Sequence, residues 1–244
     1  MTGSRHATGT TRAVVLRLVD YRDSDRIVTL FTEAYGRLSA IARSARRSQK
    51  RFAGGLESLC VVEVTLEPGR GELETLREAR PVLPCLGLLS SLERIEVAGT
   101  GFEMLRSALA ERHPEPEVFE LVVAFLLDLD AGASPGTRLL QFQLDTLSHL
   151  GLAPELEQCA VCAKEAPLSR AALFRAAAGG IVCRACGGGA LRLSATTRQA
   201  LLAHRGGSTA PSELVSTWPS DVQAEARALV SGLLEHAGFQ RPKR

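Results

Sequence analysis

RAVVLRLVDYRDSDRIVTLFTE, residues 12–33, holds two runs rich in Val, Ile and Leu, parted by Asp23-Ser24-Asp25. Apolar and β-branched residues at this density favour strands, and the polar triplet supplies turn chemistry. The stretch therefore predicts an antiparallel hairpin, with strands over 12–21 and 26–33. Tyr35-Gly36 marks a second turn, and 38–42 a third strand. Cys60, Val62, Val64 and Leu66 then alternate with Val61, Glu63 and Thr65, the period-2 pattern of a half-buried strand over 59–66. Pro68-Gly69-Arg70-Gly71 turns the chain into a fifth strand over 73–80. Five short strands with one longer insertion after the third, at 43–55, fit a small closed barrel of the OB-fold type. A five-stranded SH3-like barrel leaves the same trace.

Pro81 and Pro84 end that pattern, and the periodicity becomes helical. Residues 86–109 predict one or two helices. Residues 117–130, apolar nearly all round, predict a helix buried in a helical core. Leu140, Leu144, Leu147 and Leu150 form one stripe of a further helix that stops at Gly151, with Pro154 beyond. Ser194 is a candidate cap for a helix over 194–204, residues 219–238 predict a last amphipathic helix, and 240–244 a basic tail. The expected class is α+β and multidomain. Residues 1–82 form the barrel and 83–244 a helical domain, with a zinc-ribbon-like insertion over 156–190.

The longest unbroken apolar run, 121–127, is far shorter than the roughly 20 residues of a membrane span, so no membrane association is expected. Residues 1–12 are polar and predict no secretory signal peptide. Six cysteines in 244 residues are too few for a disulfide scaffold, which suggests a reducing cytosol.

Four of those cysteines form the strongest local motif. Cys159-x-x-Cys162 and Cys183-x-x-Cys186 each present two thiolates, and four together close a tetrahedral shell around one structural zinc ion. Four sulfurs leave no open position for a catalytic water. Two separate redox pairs, or four unrelated buried thiols, are the competing readings, although thioredoxin-type pairs need a βαβ setting. Cys60 and Cys85 read as core residues. Gly187-Gly188-Gly189 is the one low-complexity stretch.

Charge is segregated. Residues 1–56 carry 11 Lys and Arg against 4 Asp and Glu, residues 57–130 carry 6 against 15, and residues 131–244 carry 12 against 8. Within the basic first block, Arg37, Arg43, Arg46, Arg47, Lys50 and Arg51 fall in fifteen residues without an acid, followed by Phe52. A charged connection beside a barrel face suits a phosphate backbone, and Tyr21, Phe31, Tyr35 and Phe52 are the nearby aromatics that could stack bases. With so few aromatics, binding should be dominated by phosphates and indifferent to sequence. A solvated loop is the bland alternative. No G-x-x-x-x-G-K-[ST] loop, H-E-x-x-H or G-x-S-x-G occurs, and Gly99-Thr100-Gly101 lacks a dinucleotide-loop context, so no enzymatic activity is expected.

Three blocks together resemble the RecO family of bacterial recombination mediators. The first runs from Ala13-Val14-Val15-Leu16-Arg17 through Asp20-Tyr21-Arg22 and Arg26-Ile27-Val28-Thr29-Leu30-Phe31-Thr32 to Gly36-Arg37 and Ala42-Arg43-Ser44-Ala45-Arg46-Arg47. The second joins Phe142 and Leu150-Gly151-Leu152-Ala153-Pro154-Glu155-Leu156 to the first cysteine pair, and the third is Gly180-Ile181-Val182-Cys183-Arg184-Ala185-Cys186. Ser44 departs from the pattern, standing where many relatives have glycine.

The resemblance implies an N-terminal OB-fold, a C-terminal helical domain with a zinc-binding insertion, and no active-site nucleophile. It also implies binding of ssDNA and dsDNA, annealing of complementary strands, and cooperation with RecR to load RecA onto DNA coated by single-strand-binding protein, whose acidic C-terminal tail is a further partner. The setting would be the cytoplasm, at the nucleoid. A zinc-ribbon adaptor or transcription factor would instead use the ribbon as its reader, yet residues 159–186 hold only Lys164, Arg170, Arg175 and Arg184 against Glu165. A Cys-x-x-Cys thiol oxidoreductase would show reactive thiols in place of bound zinc.

Overall fold

The computed structural model describes residues 6–48, 50–52, 56, 59–69, 71–206 and 215–236. The expected basic tail, Arg70 of the fourth turn and most of 53–58 lie outside the described residues. Five strands build the first element group: β1 (Gly9–Tyr21), β2 (Asp25–Thr32), β3 (Gly36–Ala42), β4 (Val61–Glu67) and β5 (Glu74–Leu83). They close in the order β1-β2-β3-β5-β4, with β1 pairing both β2 and β4. A simple antiparallel meander would set β3 beside β4. Here β3 instead meets β5 in parallel, which decides for the OB-fold over the SH3-like alternative.

The register follows from alternation. Ala13, Val15, Val28, Leu30, Leu38, Ala40, Val62, Val64, Leu66 and Leu76 point inward and are buried. β1 is long enough to serve two neighbours because a register shift between Val15 and Arg17 bends it. At the β2–β3 turn, Gly36 has φ +68°, and a Cβ there would sit 2.0 Å from the His113 carbonyl oxygen, so no other residue fits.

The parallel seam is short, Ala40 against Glu74 and Ile41 against Thr75. A carboxylate with no exposed surface lies on it. Glu74 accepts hydrogen bonds from the Ala7 N–H (3.1 Å), the Gly69 N–H (3.3 Å) and the Arg112 guanidinium (2.6 Å), with His6 Nδ1 at 3.4 Å. One side chain thus ties the N-terminal segment, the β4–β5 turn and the chain beyond the next helix to the barrel. Burial alone would raise its pKa; the Arg112 bond and the two backbone N–H groups outweigh that and hold it below 4.5.

Helices α1 (Leu92–Ala108) and α2 (Pro116–Asp130) follow. Gly99-Thr100-Gly101 lies inside α1, not in a phosphate loop. The apolar helix α2 was expected in a helical core, but it packs on the barrel: Phe119 meets Phe31 edge-on at 5.5 Å, under the Arg12 guanidinium. Phe31 alternates with inward-facing Leu30 and so lies on the outer face of the barrel, where an all-round apolar helix supplies its cover. By contacts the chain forms two compact units, Met1–Ala133 and Ser134–Arg244, whereas the sequence boundary at 82/83 coincides with the end of β5.

The second unit holds α3 (Pro135–His149), a three-stranded sheet of β6 (Ala172–Arg175), β7 (Gly180–Ile181) and β8 (Leu191–Leu193) in the order β7-β6-β8, then α4 (Ala195–Gly206) and α5 (Ser220–His236). Ser194 caps α4 as expected, its Oγ accepting the Thr197 N–H at 3.1 Å. No described helix is long and apolar enough to cross a membrane.

Because Glu74 has a depressed pKa, its stabilisation is complete above pH 4.5 and is lost as pH falls through its lower folded value. Thermal melting at stepped pH should show this loss. Glu74→Gln should remove that part of the acid dependence and cost about 2 kcal/mol at pH 7, less than the roughly 3–5 of a fully buried pair because Arg112 is part-exposed.

Candidate nucleic-acid interface and metal centre

The basic connection begins where β3 ends. Arg43, Arg46, Arg47 and Lys50 are exposed, and Arg51 is half-buried. The backbone there is anchored to the β1–β2 turn: the Ser44 N–H donates to Asp25 Oδ1 at 2.8 Å and the Arg46 N–H to the Ser24 carbonyl at 3.1 Å. Anchored backbone with free-standing side chains presents cations without freezing them. Two of them are held: Arg46 donates to the Asp23 carbonyl at 3.5 Å, and Arg51 donates to the Arg43 carbonyl at 3.0 Å with its guanidinium over the Phe52 ring.

Arg37 does not join them. It is the second residue of β3, about 20 Å from Arg43 at the strand's rise per residue. Its Nε donates to the Leu109 carbonyl at 2.9 Å and it pairs with Glu111 at 3.2 Å, so it fastens the chain after α1 to the barrel.

Beside the cluster, a cavity of about 440 Å³ opens at the barrel mouth, walled by Tyr21, Arg22, Asp25, Arg43 and Thr75 among others. Tyr21 is 37% exposed with the Arg22 guanidinium 5.1 Å from its ring centre. The other three aromatics are unavailable for stacking to differing degrees. Phe31 and Phe52 are buried, and Tyr35 is half-buried with its hydroxyl donating to the Thr8 carbonyl at 2.6 Å.

The four cysteines of the second unit converge. The Sγ atoms of Cys159, Cys162, Cys183 and Cys186 all lie within 4.8 Å of one another, and Cys162 approaches Cys183 of the other pair at 3.9 Å. Sulfurs about 2.3 Å from a central ion in a tetrahedron are roughly 3.8 Å apart, so the set fits one metal ion. Two independent redox pairs would not interleave their sulfurs. Backbone N–H groups aim at the site: Cys183 N–H donates to Cys159 Sγ at 3.3 Å, and with those of Cys162 and Val161 it lowers the Cys159 thiol to about 6. Neighbouring Cys183 and Cys162 push Cys186 up to about 12. Four thiolates can coexist only around a cation. By contrast, Cys85 is a core thiol that burial, Asp130 and Cys60 push up to about 11.

Two arginines that sequence reasoning passed over shape this centre. Arg175 of β6 donates from Nε to the Gly188 carbonyl at 2.9 Å and from one terminal nitrogen to the Cys186 carbonyl at 2.8 Å, bracing the second knuckle. Arg198 of α4 has no exposed surface and spends all five N–H donors on carbonyls: Leu156 twice, Ala166, Pro167 and Arg170, at 2.6–3.1 Å. It pins both edges of the ribbon loop to α4. The glycine triplet also finds its reason here. Gly187 and Gly188 have φ +94° and +64°, and a Cβ on Gly189 would lie 2.1 Å from the Phe174 carbonyl oxygen.

Comparison with known sequences agrees with this architecture. The profile described as "Recombination protein O N terminal" matches residues 7–84, and "Recombination protein O C terminal" matches 89–244. The chain belongs to the RecO family. It is 38% identical over 228 residues to the DNA repair protein RecO of Anaeromyxobacter sp. (strain K), covering 91% of this chain and 89% of that one. It is 37% identical to that of Myxococcus xanthus (92% and 90%) and 35% identical to that of Pelobacter propionicus (94% and 92%). In RecO terms the one departure now has a geometry. Ser44, where glycine is the expected residue, adopts φ 55° and ψ 28°, the left-handed region that glycine enters freely.

Arg198→Lys should be severe, because three ammonium donors cannot meet four carbonyls spread around a planar fork. We expect a loss of about 3–5 kcal/mol in the second unit's stability with weakened metal retention. Denaturant melts with and without chelator will measure it.

Proposed function

We propose that this chain is a DNA repair and homologous-recombination mediator that binds ssDNA and dsDNA through the barrel mouth and anneals complementary strands. In this reading it also helps RecR load RecA onto DNA coated with single-strand-binding protein, without hydrolysing NTP, in the cytoplasm at the nucleoid. The exposed run of Arg43, Arg46, Arg47 and Lys50 on an anchored backbone carries the proposal. Family membership supports the DNA repair setting, and the missing phosphate-binding loop supports work without a nucleotide motor.

The physics is charge neutralisation. Two strands repel through their phosphates, and a protein that offsets those charges lets pairing release its own free energy. Contacts made to phosphates are indifferent to sequence. Tyr21 is the single exposed ring at the mouth, so one base can stack beside the cavity while neighbouring phosphates meet Arg22 and Arg43. Arg37 stabilises the barrel in this account rather than meeting DNA.

We assign the metal of the four-cysteine centre as one structural zinc ion. An all-thiolate tetrahedral set suits zinc and leaves no position for substrate. Metal analysis of protein purified without chelator should give about one zinc per chain. Cys159→Ser or Cys183→Ser should lower both the zinc content and the melting temperature of the second unit, because the remaining thiolates lose their shared ion. Well under half an equivalent in the wild type would refute the assignment.

Salt dependence tests the interface. If Arg43, Arg46, Arg47, Lys50 and Arg51 each meet one phosphate, single-strand affinity should fall with a log–log slope of about −3.5. Replacing Arg43, Arg46 and Arg47 by Ala should reduce that magnitude by about 2 with an unchanged melting temperature. A slope near zero, or a strong preference for one sequence at matched salt, contradicts the proposal.

A further inference from the structure

We infer that the cysteine ribbon carries a second single-strand site, a cationic groove that holds one strand by its phosphates while the barrel mouth holds another. The inference rests on the strand-annealing reading above. The groove encloses about 450 Å³, and Lys164, Arg170, Arg184 and Arg192 contribute to its walls. All four are exposed. Leu173 and Val182 give it an apolar floor, and Glu165 is the one acid among its lining residues.

These cations come from separate pieces of chain. Lys164 follows the first cysteine knuckle, Arg170 precedes β6, Arg184 lies inside the second knuckle and Arg192 is in β8. Buried Arg198 forms the groove's inner wall and, by binding the carbonyls of Ala166, Pro167 and Arg170, sets the segment from which Arg170 projects. Arg175 is the one ribbon cation committed to local carbonyls, and it does not line the groove. Even with the −2 of a filled four-thiolate centre, with Glu165 and with Glu225 beside Arg192, five cations leave the groove net positive. Like charges gathered around one concavity cost stability unless an anion answers them.

The occupant follows from the same lining. No aromatic ring is among the lining residues, so bases find no stacking platform there. Phosphates meet the four rim cations, and sugars cover the floor. Annealing needs two strands on one protein, and the barrel mouth has one exposed ring and one cavity of single-nucleotide scale. A second, sequence-indifferent surface on the other unit supplies the remaining place.

The test uses the full-length chain and two (dT)15 strands, one carrying a donor dye and the other an acceptor, which cannot pair with each other. First-strand affinity is read by titrating one strand, and second-strand capture by energy transfer. Lys164→Ala/Arg170→Ala/Arg184→Ala, which spares Arg192 because it lies in the field of Glu225, should keep first-strand affinity within twofold, with zinc content and melting temperature unchanged. It should weaken second-strand capture at least tenfold, lower that step's salt slope by about 2, and slow annealing in proportion. The charge-keeping Arg170→Lys/Arg184→Lys should behave as wild type. Unchanged energy transfer in the triple variant overturns the groove site while leaving the barrel reading intact. So does a labelled oligoglutamate peptide that the groove binds and excess (dT)15 cannot displace. If wild type fails to bind even the first strand, the annealing reading itself falls and the groove site with it.

Discussion

Barrel closure turns on the short parallel meeting of β3 and β5, and on the buried Glu74 carboxylate that lies across it. The antiparallel pairs of the barrel run for six to eight residue pairs, whereas this seam has two. So brief a ladder contributes little by backbone bonding alone. Glu74 compensates by drawing three otherwise unrelated segments onto the seam, with Arg112 neutralising a charge that could not be buried alone. Once the seam holds, β3 ends beside the β1–β2 turn, and Asp25 and Ser24 can anchor the basic connection. The presentation of Arg43, Arg46 and Arg47 is therefore a consequence of how the barrel closes.

The second unit solves a different problem with the same residue type. Its ribbon has too little apolar surface to fold by burial, with strands of two to four residues. Four converging thiols can hold it through one ion, and two arginines hold it through carbonyls. Arginine suits this task because its planar fork keeps five donors in fixed directions and stays charged even when burial pulls its pKa down, as it does at Arg198. The four-cysteine cluster, with an ion bound, and the arginine clamps would thus be complementary restraints on one loop.

Both units put cations on exposed rims above ordered backbone, and neither surrounds them with aromatic rings. That combination suits a partner recognised by its regular negative charge, not by its bases. It also suits release, since contacts of this kind weaken steeply with salt and with competing cation-binding partners. In the annealing proposed above, the protein must let go of the duplex that forms.

Much of this was legible in the chain itself. Period-2 alternation over 59–66, the turn chemistry at Asp23-Ser24-Asp25 and Tyr35-Gly36, and the leucine stripe ending at Gly151 located the strands and helices to within a few residues, because they depend on local backbone preference and on one buried face. The Cys-x-x-Cys spacing likewise picked out the four cysteines that converge, since knuckle geometry is local. Other features had no local signature. Parallel pairing of β3 with β5, the packing of α2 on Phe31, the diversion of Arg37 to Glu111 and the burial of Arg198 all depend on which distant segments meet. An arginine in sequence is the same residue whether it faces solvent or four carbonyls. The ribbon shows this most plainly: its modest charge surplus, counted along residues 159–186, argued against a nucleic-acid role, whereas folding turns Arg175 inward, adds Arg192 from β8 and collects the rest around one groove. Charge count is a property of the sequence; charge density is decided only when long-range contacts set the distances between the charges.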